Sequence, residues 1–156
     1  MVCTFFGHGN APKEIIPVLK DTIIKLIKEN KVDTFYVGNH GHFDFYAETI
    51  LKELSEIYPH IKYSVVLAYL PRGSEGEYYD FSNTIYPEGI ENSPFKYAII
   101  KRNEWMLDRA DYVITYVKTV VGGAAQFKEK AEKKNKIIIE ISDCNWHGIL
   151  HYNISI

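Results

Sequence analysis

The sequence predicts an α/β domain with a mainly parallel sheet of five strands and helices on its faces. Three observations carry this. Short β-branched and aromatic runs alternate with amphipathic stretches along the whole chain. The strand-like runs are nearly continuous in apolar residues, as suits strands buried on both faces. Glycine-bearing segments follow several of these runs, where such folds place their ligand loops.

Each element has its own reason. "VCTFF" is a short apolar run and reads as the first strand. Ile16, Leu19, Ile23, Leu26 and Ile27 recur at helical spacing, and Pro17 falls near the helix start, where a missing N–H is tolerated. "DTFYVGN" reads as the second strand and stops at Gly38. Phe43, Ala47, Ile50, Leu54 and Ile57 form an apolar stripe that ends before Pro59. "KYSVVLAYL" is the third strand. "FKYAIIKRNEWMLDRA" reads as a helix, "DYVITYV" as the fourth strand, "VGGAAQFKEKAEKK" as a glycine turn opening a helix, and "KIIIEIS" as the fifth strand.

Residues 71–94 are expected to differ. Gly, Pro, Ser, Asn and acidic residues dominate there and no period is visible, so the segment reads as a long functional flap. Residues 143–156 form a tail without a firm period. The 156 residues suit one domain, 1–156, and are too few for two ordinary ones.

Composition excludes some classes. The formal net charge is −2, so no global basic field draws nucleic acid or an anionic membrane, and a nucleic-acid partner is not expected. No run approaches a membrane span and no secretory leader is recognised, which implies a cytoplasmic protein. Two isolated cysteines, Cys3 and Cys144, suit a reducing compartment. Twelve tyrosines suggest half-buried surfaces, either a ligand cleft or a subunit interface, or else a plain compositional bias.

The loops to inspect are 7–10, 38–44, 71–94 and 118–126. Gly122-Gly123 followed by Ala124-Ala125 reads as a phosphate site, two glycines for close approach and then a helix whose free N–H groups attract an anion. The alternative is an ordinary strand-to-helix turn. "GNHGHFD" has the same placement: Gly38 gives backbone freedom, and Asp44 either stabilises a helix start or accepts a ribose hydroxyl. Arg102 is either a phosphate anchor or a solvated helix arginine. His40-x-His42 and Cys144-x-x-His147-x-x-x-His151 resemble metal spacings without a full ligand set, so no metal is assigned. No other cofactor is implied.

"CTFFGH", "FYVGNHGHFD", "KRNEWM", "ADYVITYV" and "GGAAQFKE" occur in an order that resembles the SLOG superfamily, in particular its YpsA-like branch, from Cys3 to about Ile141. The resemblance implies a three-layer Rossmann-like fold and a small-molecule nucleotide or nucleotide derivative as ligand, with a sensor, sequestering or carrier role. In the segments that carry it, Gly7, His8, Asn39, Asn103, Gln126 and Asn10, which alternatively caps the following helix, join the ligand-binding candidates Gly38, Asp44, Gly122, Gly123 and Ala124; Gly9 and Asn10 stand where the YpsA-like branch commonly has arginine and aspartate. A homodimer is expected by the same analogy.

The chain is also similar to the sister LOG-type phosphoribohydrolases, which cleave nucleoside monophosphates. In their R-K-x-x-M pattern Arg102 matches the arginine and Met106 the methionine. In P-G-G-x-G-T-x-x-E, Gly122 and Gly123 match the glycines and Glu129 the glutamate. That resemblance implies Arg102 and Glu129 as a catalytic pair in an N-glycosidic hydrolase. Val121, Ala125, Gln126 and Asn103 stand where the patterns have proline, glycine, threonine and lysine, which favours binding over hydrolysis. An interaction protein that has lost the pocket is the third expectation.

Overall fold

The computed structural model describes residues 1–143. Strand β1 (Val2–Gly7) leads through a 3-10 turn into helix α1 (Ile16–Glu29), then β2 (Thr34–Val37), α2 (His42–Ile57) and β3 (Lys62–Val66). A single-turn helix α3 (Ser74–Glu77) and a two-residue strand β4 (Thr84–Ile85) follow. Helix α4 (Ala98–Arg109), β5 (Tyr112–Tyr116), α5 (Gly123–Lys133) and β6 (Ile137–Glu140) complete the described chain.

The strands form one parallel sheet in the order β4-β3-β2-β1-β5-β6. The architecture is therefore the Rossmann-like α/β fold that the alternation predicts, with a correction: six strands among the described residues, not five. The extra strand is β4, which lies inside residues 71–94, expected to be a long functional flap. Its two residues pair with Val65 and Val66 at the sheet edge. Two residues among Gly, Pro and Asn show no period-2 signal, so the pairing comes from the β3 edge rather than from local propensity. Tyr79 and Tyr86 of the same segment pack against the core.

Side-chain alternation in the strands divides the interior into two layers. Cys3 and Phe5 of β1, with Ile114 and Tyr116 of β5, face α1 and α2, meeting Leu19, Ile23, Phe43 and Leu51. Phe6 and Val113 point the other way, toward Met106 and Leu107 of α4 and Phe127 and Ala131 of α5. Thr4, fully buried between these layers, donates its hydroxyl to the Tyr36 carbonyl at 2.9 Å and so leaves no orphan. Burial pushes the Cys3 thiol far above its ordinary range, which removes it as a nucleophile.

Strand order reverses at β1. The chain builds outward through β2 and β3 on one side and then returns to place β5 on the other. The loops after β1 and β5 therefore diverge at the carboxyl edge of the sheet and leave a crevice there. Among the described residues no helix is long and apolar enough to cross a membrane.

Candidate functional site

The crevice is a cavity of about 240 Å³. Phe5, Phe6, Gly7, His8 and Gly9 form its floor and one wall; His40 and Asp44 come from the start of α2. Ile99, Arg102 and Asn103 come from α4, and Gly123 and Ala124 from the first turn of α5.

Backbone approach explains the glycines on the β1 side. A Cβ on Gly7 would lie 2.3 Å from the ring of Phe43, which is wholly buried. Gly41, at φ +88°, sits so close that a Cβ there would fall 2.5 Å from the Cα of Gly9. The His42 N–H donates to the Gly9 carbonyl at 2.8 Å, which clips the two loops together. The "GHGN" stretch thus spends Gly9 on a loop-to-loop contact. His8 reaches sideways: its Nε2 accepts from the backbone N–H groups of Lys118 at 2.8 Å and Thr119 at 3.3 Å. That fixes the proton on Nδ1 and ties the loop after β5 to the loop after β1.

Arg102 is the largest buried polar side chain, 2% exposed. Nε donates to Asn103 Oδ1 at 2.7 Å. Nη1 donates to the Val66 carbonyl at 2.8 Å and to Asn39 Oδ1 at 3.4 Å. Nη2 donates to His40 Nδ1 at 3.3 Å. An arginine cannot accept, so His40 is held as the neutral Nε2–H tautomer; burial and the guanidinium both lower its pKa. The second Nη2 N–H has no hydrogen-bond partner among the described residues, and Arg102 lines the cavity. Gly38 lies directly behind: a Cβ there would meet Asp44 Oδ2 at 2.5 Å and Arg102 Nη1 at 2.8 Å. Only glycine lets the acid and the guanidinium close in from both sides.

Asp44 stands at the third position of α2 and its Oδ2 accepts the His40 N–H at 3.0 Å, so it does stabilise the helix start. Its other oxygen has no hydrogen-bond partner among the described residues. No buried side-chain oxygen or nitrogen is left unsatisfied among them, so this oxygen keeps some exposure, and Asp44 lines the cavity. Burial pushes the carboxyl up to about 6, against the opposing pull of Arg102 and the His40 N–H.

Helix α5 supplies the opposite charge preference. Gly122, at φ +103°, precedes it without any side-chain cap, and the helix's first accepted N–H is that of Gln126. The N–H groups of Gly123, Ala124 and Ala125 are therefore the helix's orphan donors, and Gly123 and Ala124 line the cavity.

The expected residues thus divide. Gly7, His8, Asp44, Arg102, Asn103, Gly123 and Ala124 share the cavity wall. Gly38 and Asn39 stand behind Arg102 as its support. Asn10 and Gln126 are exposed and lie outside the lining, and Gly122 acts through the backbone turn. Glu129 is not brought to Arg102. It lies two residues beyond Phe127, on the opposite face of α5, since two residues rotate about 200° around a helix. Phe127 packs on Phe6, and Glu129 points to solvent, pairing with Lys133 at 2.6 Å. Distance along the helix alone does not give that angle. His40 is the cavity residue whose role the metal spacing concealed: among the described residues no group of three His, Cys, Asp or Glu gathers. The spacing Cys144, His147 and His151 lies outside the described residues.

No family model matches the chain, and no curated protein matches it. The chain is similar in fold to a DNA-processing protein. The solved structure of DNA processing protein A (DprA) from Streptococcus pneumoniae superposes with a TM-score of 0.64 over 90% of this chain at 16% identity. The chain spans about half of that one, 53% of its length. At this identity the likeness is one of fold.

Proposed function

We propose that this chain is a cytoplasmic nucleotide- or nucleotide-derivative-binding protein of the SLOG type, serving as a sensor, sequestering protein or carrier. The observation that carries the reading is the paired chemistry of one small cavity. A braced guanidinium and the open N-terminus of α5 offer donors to a phosphate. The free oxygen of Asp44 beside them accepts from a hydroxyl. A phosphorylated ribose presents both partners in one molecule. The order of the motifs and the Rossmann-like fold support membership of the YpsA-like branch.

The hydrolase reading has less support, because its carboxylate, Glu129, faces solvent and is held by a lysine. DNA is the partner named for the similar DprA structure; here it is a control.

The test is a panel of nucleoside monophosphates, cyclic nucleotides, ADP-ribose and ribose 5-phosphate, read by thermal shift, with free base followed by chromatography. A ligand that binds the native state raises the melting temperature by mass action. The expected result is a shift with phosphorylated ribosides, lost in Asp44→Asn, and no release of base. Release of base that vanishes in Glu129→Gln would restore the hydrolase reading. No shift with any member of the panel sinks the binding reading. A single-stranded oligonucleotide that binds with a steep salt dependence would replace it with a DNA-binding one. Sedimentation tests the homodimer proposed with it.

A further inference from the structure

A second cavity, of about 540 Å³, lies beyond the end of β3, between the start of α4 and the segment that carries β4. Tyr69, Phe95, Tyr86 and Ile90 line it with aromatic and apolar surface, and Arg72 and Glu91 are its charged residues. It adjoins the first cavity. Ala98 faces the second and its neighbour Ile99 the first, and the His40 ring of the first meets the Tyr69 ring of the second edge-on at 5.8 Å.

The aromatic wall is built, and one face of it is left unused. Tyr69 stacks on Phe95 at 4.2 Å with 21° between planes, and the Tyr69 hydroxyl donates to the Phe95 carbonyl at 2.9 Å, which locks the pair. Yet Phe95 remains 73% exposed. A phenyl ring fixed on one side and open on the other is a stacking platform for a planar ring. The sizes point the same way. The first cavity is below the range of about 300–1,000 Å³ usual for whole ligands, and the second falls within it.

We propose that the second cavity receives the nucleobase of the ligand, stacked on the Tyr69–Phe95 pair, while its phosphorylated ribose occupies the first. This rests on the nucleotide reading above and adds the site of base recognition. Glu91 supplies an acceptor for a ring or amino N–H, and Arg72 supplies donors for a carbonyl or ring nitrogen. His40 and Tyr69 form the partition past which the glycosidic bond runs.

Calorimetric titration of the full chain with ribose 5-phosphate and with the 5′-monophosphates of adenosine, guanosine, cytidine and uridine tests it. The best nucleotide is expected to bind at least about tenfold tighter than ribose 5-phosphate. Phe95→Ala, at an exposed position, is expected to remove most of that advantage while ribose 5-phosphate binds as before. Ser93→Trp, which fills the second cavity from its wall, is expected to do the same. If ribose 5-phosphate binds and no base adds affinity, or if both variants keep the advantage, this inference fails and the phosphoribosyl reading stands. If neither sugar phosphate nor nucleotide binds the folded chain, both fail together.

Discussion

The two walls of the crevice use glycine for opposite purposes. On the β1–β2 side, Gly7, Gly38 and Gly41 are packed so closely that a methyl group would meet a ring, a charged pair or another backbone. On the α5 side, a Cβ added to Gly122 or Gly123 would meet nothing within 4 Å, and the adjoining Val120 and Val121 are 98% and 75% exposed. One wall is finished without a ligand. The other is open and would accept a side chain without a clash. A glycine in a loop after a strand therefore marks either dense packing or open backbone, and the sequence letter does not distinguish them.

Breaking the packed wall is expected to cost most at Arg102. Arg102→Ala leaves the Val66 carbonyl and the Asp44 carboxyl without their cation, and should destabilise the fold by about 3–5 kcal/mol in urea titrations. Arg102→Lys should recover less than half of that, since one ammonium cannot serve Val66, Asn39, Asn103 and His40 together. Gly41→Ala comes next, at about 1–3 kcal/mol, because φ +88° and the contact with Gly9 both oppose a side chain.

Asp44 gives the packed wall a pH signature. Burial pushes its carboxyl up to about 6 in the folded chain, against the ordinary 3.8 that the unfolded chain restores. The folded state thus holds the proton more tightly. Stability from this group is full below pH 4, declines as pH rises to about 6, and is flat beyond. The decline should be on the order of 2–3 kcal/mol, and Asp44→Asn should abolish it in denaturation curves taken from pH 4 to 7. A slope unchanged by the substitution would assign the titration to another group. Ligand affinity should run the other way, weakening in the wild type below about pH 6 as the acceptor oxygen is protonated.

The open wall should show the smallest effects on stability. Gly123→Ala is expected to change it by less than about 1 kcal/mol, and in the stabilising direction, because the position is helical and uncrowded. The same methyl should weaken binding of the phosphate. Glu129→Gln should change neither melting temperature nor ligand affinity.

Much of this was legible in the letters. The stripes at Ile16–Ile27 and Phe43–Ile57 gave α1 and α2, and the parallel sheet followed from alternation. The carboxyl edge of β1, β2 and β5 then picked out loops that do meet. Legibility ended where contact decides. Asp44 was read as either a helix-stabilising acid or a ligand acceptor; it serves the first with one oxygen and leaves the other open. Arg102 looked like a solvated helix residue as readily as an anchor, because nothing local shows that Val66, Asn39 and His40 converge on it. Glu129 kept its motif spacing while turning to solvent. Strand β4 has too few residues to carry a period of its own. The wall made by Tyr69 and Phe95 joins residues 26 apart, a pairing that no local pattern encodes.

The central position of β1 has a consequence for how the molecule comes into being. The Val2 N–H is satisfied by the carboxylate of Asp111, 109 residues later in the chain, and Cys3 to Gly7 pair with Tyr112 to Tyr116. One edge of the first strand therefore stays unpaired until a strand more than a hundred residues further along the chain is in place. Such long-range pairing makes folding slow compared with a helical bundle of similar length. The crevice at the carboxyl end of those two strands requires that long-range pairing, so its walls come from segments more than a hundred residues apart.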